Sequence, residues 1–149
     1  MIGGMVMTID QISVFVENKT GKLVEVIEAL GAKGIDLRAM SIADTSDFGI
    51  LRLIVDKPAK ALEVLSEADC VTSVNKVIAV SVEDTPGSLA KVLRILSDEG
   101  ISIEYVYAFI THEAGRAFVI IRVEDNDKAV KILTSKGVRL AASKEIFGK

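Results

Sequence analysis

The amino-acid sequence predicts an α+β fold of two tandem ferredoxin-like units, each an antiparallel four-stranded sheet with two helices on one face. Three observations support this prediction. A short pattern, VENKTGKL at residues 16–23, returns as VEDTPGSL at residues 82–89, a displacement of 66 positions. Helical apolar periodicity follows each copy, and two strand-like runs follow each helix. Because the repeat covers almost the whole chain, we expect one unit at residues 8–75 and a second at residues 76–147.

Each unit is expected to begin with a strand, residues 12–16 and 78–82, and to continue through the repeated loop into a helix. The helices are predicted from apolar residues at i, i+3, i+4 and i+7, which form one stripe. Gly34 and Gly100 follow the two stripes and are suited to left-handed helix caps. The stripe residues are Leu23, Val26, Ile27 and Leu30 in the first unit and Leu89, Val92, Leu93 and Leu96 in the second.

Two strands joined by a polar turn follow each of these helices. The turn is two residues longer in the second unit, so the displacement between the repeats becomes 68 positions. A second, shorter helix comes next, with Pro58 acceptable in its first turn in one unit and Asn126 or Asp127 as its N-cap in the other. Each unit closes with a β-rich run. The predicted strands are residues 37–43, 48–55 and 71–74 in the first unit and 103–110, 117–123 and 138–141 in the second.

The join between the units, residues 74–77, has no spacer rich in Gly, Pro or Ser. We therefore expect the two units to remain close to each other. Domains of about 70 residues are marginal when they fold alone. We therefore expect the units to stabilise each other through a shared interface.

Composition narrows the classes of function. The chain has 149 residues, half of them apolar, and 18 basic against 21 acidic side chains give a net charge of −3. No basic run exceeds two residues, which argues against nucleic acid as a partner. No export signal or membrane-length apolar run occurs, so we expect a cytoplasmic location. The single cysteine, Cys70, has no disulfide partner and is expected to be an ordinary reduced thiol.

Each repeated loop joins the end of a strand to the first turn of a helix. In the second copy Thr85 is predicted to be the N-cap and Pro86 the first helical residue, while Gly87 lets the backbone approach a bound molecule. The first N–H groups of a helix have no helical partner and lie at the positive end of its dipole. Each loop is therefore an available carboxylate site.

Asn18 and Asp84 stand just before these donors, and their side-chain oxygens can accept hydrogen bonds from an ammonium group. A ligand with a carboxylate and an ammonium group on one carbon would satisfy both halves of the loop, which describes a free α-amino acid. The alternative is that Asn18 and Asp84 only cap their helices. The local sequence leaves both interpretations open.

The β-α-β-β-α-β unit with the loop Val-x-Asn/Asp-x-Pro-Gly-x-Leu, followed thirteen residues after the loop glycine by Gly-Ile-x-Ile, resembles the ACT domain. ACT domains are amino-acid-sensing modules attached to many enzymes of amino-acid metabolism. The second copy, VEDTPGSLAKVLRILSDEGISIEYV, matches well, whereas the first has Thr20 in place of the usual proline. The resemblance implies that two modules build an amino-acid site between them.

In ACT domains the loop of one module and the second strand of another meet at this site. The resemblance therefore implies that loop residues bind the amino acid, that the residues after Gly-Ile reach across from the other module, and that residues of the second strands line the side-chain pocket. Met40 and Val106, in this last group, lie on strands where such residues are more often simply core residues. The implied ligand-binding residues are Asn18, Gly21, Leu23, Asp36, Met40, Asp84, Gly87, Leu89, Ser102 and Val106.

The predicted function is a non-catalytic amino-acid sensor that regulates a partner enzyme or regulator in trans and forms a homodimer, with no cofactor and no metal. An acylphosphatase-like enzyme on the same scaffold would need an arginine in the first βα loop, which neither copy has. An RNA-binding module would need paired aromatic residues and a basic face. A protein-interaction module without a small ligand is the remaining alternative. His112, expected in an exposed turn, has no partner that would support hydrolysis.

Overall fold

The computed structural model describes residues 7–44, 48–109 and 114–142, so the predicted turn with His112 lies outside the described residues. Four helices and seven strands occur among them. The helices are α1 (Lys22–Ala32), α2 (Pro58–Glu67), α3 (Ser88–Asp98) and α4 (Asn126–Ser135). The strands are β1 (Ile9–Glu17), β2 (Leu37–Asp44), β3 (Phe48–Val55), β4 (Val71–Glu83), β5 (Ile103–Phe109), β6 (Arg116–Val123) and β7 (Arg139–Leu140). None of the described helices is long and apolar enough to cross a membrane.

The described residues divide into two compact units. The first contains residues 10–75, and the second contains residues 76–142 together with residues 7–9. The boundary falls inside β4, a continuous strand of 13 residues. The prediction of separate strands at residues 71–74 and 78–82 was therefore wrong, because Val74-Asn75-Lys76-Val77 has no glycine or proline to interrupt the strand and stays extended.

The first unit places β3 between β2 and β1, with both pairs antiparallel. Its core lies between the helices and the sheet face that carries Val14, Leu51 and Leu53. The stripe residues Val26 and Leu30 are buried against this face, as predicted from their spacing. Burial and the neighbouring Asp69 carboxylate raise the pKa of the Cys70 thiol above its ordinary value.

The second unit repeats this arrangement in the antiparallel order β7-β4-β6-β5. Val80, Ile121 and the stripe residues Val92 and Leu96 form its core, against which Met7 also packs. The predicted α+β fold class with tandem ferredoxin-like units is confirmed.

The ends of the helices test the local predictions. Gly34 and Gly100 have positive φ angles of 73° and 74°, which confirms the left-handed caps after α1 and α3. Pro58 is the first residue of α2, as predicted. The N-cap of α4 was predicted one or two residues too late: Asp125 is the cap, and its carboxylate accepts a hydrogen bond of 3.1 Å from the N–H of Lys128.

Candidate functional site

The two repeated loops have the same backbone geometry. In the first, the N–H of Lys22 donates to the carbonyl of Lys19 at 3.2 Å, and Gly21 has φ 90° and ψ −15°. In the second, the N–H of Ser88 donates to the carbonyl of Thr85 at 3.3 Å, and Gly87 has φ 89° and ψ −9°. These angles match the third residue of a type II turn, where glycine is favoured because φ is positive. Each loop is therefore a type II turn that leads directly into a helix.

This geometry corrects the predicted start of α3. The helix begins at Ser88 with Gly87 as its N-cap, so Thr85 is not the cap and Pro86 is not the first helical residue. Pro86 instead occupies the second position of the turn, where the fixed φ of proline is also favourable. Thr20 fills this position in the first loop, and the glycine that follows it has almost the same backbone angles. The loss of the usual proline therefore leaves the turn intact.

Each loop presents unpaired backbone donors at the positive end of a helix. The first helical hydrogen bond runs from the N–H of Glu25 to the carbonyl of Gly21 in α1 (3.1 Å) and from the N–H of Lys91 to the carbonyl of Gly87 in α3 (3.2 Å). Within the described residues, the two preceding N–H groups of each helix have no main-chain acceptor. Neither helix has a side-chain cap on these groups, because both N-cap residues are glycines. Such donors favour an anionic group.

Asn18 and Asp84 lie in the exposed segments between strand and turn. Both are three residues before the N-cap glycines, so neither occupies the N-cap position. The N–H of Asp84 donates to the carbonyl of Gly115 at 3.0 Å, which ties the second loop to the turn before β6. The Asp84 side chain remains exposed.

The sheet register separates the loops from Asp36 and Ser102 within each unit. Glu17, next to the first loop, pairs with Phe48 at the start of β3, whereas Leu37, next to Asp36, pairs with Val55 at its end. The second unit follows the same pattern, since its loop lies beside the start of β6 and Ser102 beside the end. Within one unit the loop with Asn18, Gly21 and Leu23 thus lies at one end of the sheet, and Asp36 lies at the opposite end.

Asp36 also has partners in its own unit. Its carboxylate accepts a hydrogen bond from Nη1 of Arg38 at 3.3 Å, and its main-chain N–H donates to Oδ1 of Asp56 at 2.9 Å. Ser102, the matching residue, is exposed. The second-strand residues differ as well: Met40 is 43% exposed, whereas Val106 packs against the core of its unit.

A cavity of about 500 Å³ in the second unit was not predicted from the sequence. It lies beside the second loop and is lined by residues of β4, α3, β6 and the segment from α4 to β7. Its residues come from four separate stretches of sequence, so no local motif marks them. Among the described residues, no group of three or more His, Cys, Asp or Glu side chains could hold a metal ion.

Comparisons with known proteins identify the family to which the chain belongs. A family model described as "ACT domain pair" matches residues 7–148. No curated protein sequence matches the chain significantly.

Among solved structures, protein BT0572 from Bacteroides thetaiotaomicron is 41% identical, with a TM-score of 0.88 over 96% of this chain and 98% of that one. The regulatory subunit of aspartate kinase from Thermus thermophilus is 21% identical, with a TM-score of 0.62 over 88% of this chain and 95% of that one. The corresponding subunit from Thermus flavus is also 21% identical, with a TM-score of 0.59 over 85% of this chain and 90% of that one. The likeness to the kinase subunits concerns the fold, whereas the family match spans almost the whole chain. The chain belongs to the ACT domain pair family.

Proposed function

We propose that this protein is a non-catalytic regulator that binds a free α-amino acid at its repeated loops and modulates a partner enzyme or regulator of amino-acid metabolism. The observation that carries the proposal is the repeated type II turn, which leaves unpaired N–H groups at the start of the helix that follows Asn18 in one unit and Asp84 in the other. Membership of the ACT domain pair family supports the same function. The regulatory subunits of aspartate kinase have the same fold.

In the proposed complex the ligand carboxylate accepts hydrogen bonds from the first N–H groups of α1 or α3. The ligand ammonium group donates to the side-chain oxygen of Asn18 or Asp84. Pairing both charges is required because an unpaired charge is costly to remove from water. Leu23 and Leu89 follow the loop glycines and contribute apolar contacts.

The remaining site residues come from a second module in this proposal. Asp36 and Ser102 lie at the far end of the sheet from the loop of their own unit, so they reach a loop only if it belongs to another module. Met40 and Val106 line the side-chain pocket in the same way. A homodimer, which we propose as the working assembly, provides additional modules of this kind.

Regulation follows from ligand binding between modules. An amino acid that stabilises one arrangement of modules shifts the population towards it, and a partner that prefers this arrangement is affected in turn. Couplings of this kind are typically about 1–3 kcal/mol. We place the protein in the cytoplasm, where the free amino acids and the biosynthetic enzymes are found.

A protein-interaction module without a small ligand is the second candidate function. The observation in its favour is a pair of exposed aromatic rings on one sheet face of the first unit, where Phe15 is 46% and Phe48 51% exposed on neighbouring strands. Exposed apolar groups of this kind often mark protein interfaces.

Thermal unfolding against each of the twenty amino acids at millimolar concentration separates the two candidates. A ligand at about 100 times its dissociation constant adds roughly 2.7 kcal/mol to the free energy of unfolding, which raises the midpoint by several degrees. We expect such a rise with one amino acid or a few related ones. An unchanged midpoint with all twenty would reject the sensor and favour the interaction module.

A further inference from the structure

The cavity of about 500 Å³ in the second unit is lined by more cationic than anionic residues. Four cationic side chains line it, with a single carboxylate, that of Glu83. The whole chain, by contrast, carries a net charge of −3. We call this feature the cationic cavity, defined by Ser81, Ser88, Lys91, Arg116, Lys136 and Arg139.

Arg116 is held in place at the wall of the cationic cavity. Its Nε donates to the hydroxyl of Ser81 at 3.0 Å, and its Nη2 donates to the Ser81 carbonyl at 2.8 Å. Ser81 is only 3% exposed, so the anchor is itself fixed by the surrounding structure. A guanidinium group has five N–H donors, and among the described residues Nη1 of Arg116 has no acceptor. A fixed guanidinium group of this kind suits a phosphoryl or carboxylate group.

Lys91 and Lys136 reach the cavity from two other elements. Lys91 lies in the second turn of α3, and Lys136 is the C-cap residue of α4. Within the described part of the chain, neither ammonium group has a carboxylate within 4.0 Å. Cations from α3, β6 and the α4–β7 segment therefore surround one volume, and no protein carboxylate neutralises the two lysines.

The first unit shows that the fold does not require these charges. The displacements of 66 and 68 align Arg116 with Phe48 and Lys136 with Ala68. The sheet register confirms the first match, since Arg116 pairs with Glu83 as Phe48 pairs with Glu17. The other aligned pairs are Ser81 with Phe15, Lys91 with Glu25, Ser88 with Lys22 and Arg139 with Val71.

We propose that the cationic cavity binds a small polyanion, a molecule carrying a phosphoryl group or two or more carboxylates. A neutral zwitterionic amino acid does not need several cations, so this site is distinct in its chemistry from the repeated loops. The two sites are nevertheless adjacent: Ser88 lines the cavity, and its hydroxyl lies 2.7 Å from the Thr85 hydroxyl in the second loop.

The test is calorimetric titration of the full chain with pyrophosphate and, separately, with citrate, at physiological ionic strength. The cavity variant is K91Q/K136Q, and the control is K128Q/K131Q, which removes two exposed lysines of α4 that do not line the cavity. Both variants lose two positive charges from the second unit. Thermal midpoints of all three proteins verify that the fold is retained.

We expect the wild-type chain to bind at least one of the two anions and the cavity variant to bind it at least about tenfold more weakly, because charged hydrogen bonds are lost. The control should stay within about threefold of wild type, since distant exposed charges are screened. Binding of pyrophosphate alone would identify a phosphoryl ligand, and binding of citrate alone a polycarboxylate. Absence of binding to both anions, or equal weakening in the two variants, would overturn the proposal.

Discussion

The two units of this chain share a backbone and differ in their surfaces. Both have the same type II turn, the same helix stripe and the same glycine cap. Among the described residues, however, every exposed large apolar side chain belongs to the first unit: Phe15, Val24, Met40, Ile42, Phe48, Val71 and Val74. The matching residues of the second unit are Ser81, Ala90, Val106, Ala108, Arg116, Arg139 and Ala142.

This difference distinguishes the residues that each unit needs in order to fold from the surface residues that determine what each unit contacts. Residues that set the turn, the helix stripe and the cap recur in both units because each unit must fold in the same way. Surface positions are free of that requirement, so one unit carries apolar groups and the other carries cations. We therefore expect the first unit to contact an apolar partner surface and the second to contact an anion.

The largest expected effect is in the two cores, where the units should behave alike. Leu30 and Leu96 are both fully buried at the same position of the helix stripe. Leu30→Ala and Leu96→Ala should each lower the free energy of unfolding by about 2–5 kcal/mol, through lost transfer energy and a residual cavity. Urea unfolding followed by circular dichroism measures both. A loss below about 1 kcal/mol in one unit only would break the equivalence of the cores.

The loop glycines should give the next largest effect. Gly21 and Gly87 have φ near 90°, and no atom outside the immediate chain neighbours lies within 4 Å of an added Cβ. Alanine at either position should therefore cost about 1–2 kcal/mol through backbone strain alone.

Gly31 is the matched control for these variants. It lies inside α1 without a positive φ and with open space around an added Cβ. Gly31→Ala should stabilise the protein by about 0.5–1 kcal/mol, because alanine is the better helix former. Equal destabilisation by all three substitutions would contradict the strained-turn interpretation.

A surface exchange should give a smaller effect on stability and a clear effect on association. Phe15 and Phe48 are exposed on neighbouring strands, and the second unit has Ser81 and Arg116 in their places. The double variant F15S/F48R should therefore self-associate more weakly than wild type, by about tenfold in dissociation constant, if these rings lie in a homodimer interface. Sedimentation over a range of concentrations measures this.

The control for the exchange is Val24→Ala, which copies Ala90 and removes apolar surface from α1 instead. It should change the dissociation constant by less than about threefold if the two phenylalanine rings are the main contacts. Unchanged association in F15S/F48R would place the dimer contact elsewhere.

Local sequence patterns predicted most of the fold correctly. They failed where the same residues are compatible with two different local structures. The helix stripes and the caps at Gly34 and Gly100 follow from periodicity and from the freedom of glycine to adopt positive φ. Pro86 is compatible with the first turn of a helix and with the second position of a type II turn, and the sequence alone favoured the wrong one.

The candidate sites were predictable to different degrees. The repeated loops were found from the sequence because all their parts lie within eight consecutive residues. The cationic cavity was missed because its residues come from distant segments that only the fold assembles. Its sequence signal is a set of contrasts at matched positions, such as Phe48 against Arg116, and these become meaningful only after the register is known.

The most direct test of the proposed amino-acid site compares Asp84→Ala with Asp84→Asn in the thermal screen against the twenty amino acids. Asp84→Asn keeps an oxygen acceptor and copies Asn18 of the first loop, whereas Asp84→Ala removes the acceptor. We predict that the stabilising amino acid raises the wild-type midpoint by several degrees, that Asp84→Asn keeps most of the rise, and that Asp84→Ala loses the contribution of the second loop. Equal rises in all three proteins, or none in wild type, would contradict an amino-acid site at this loop.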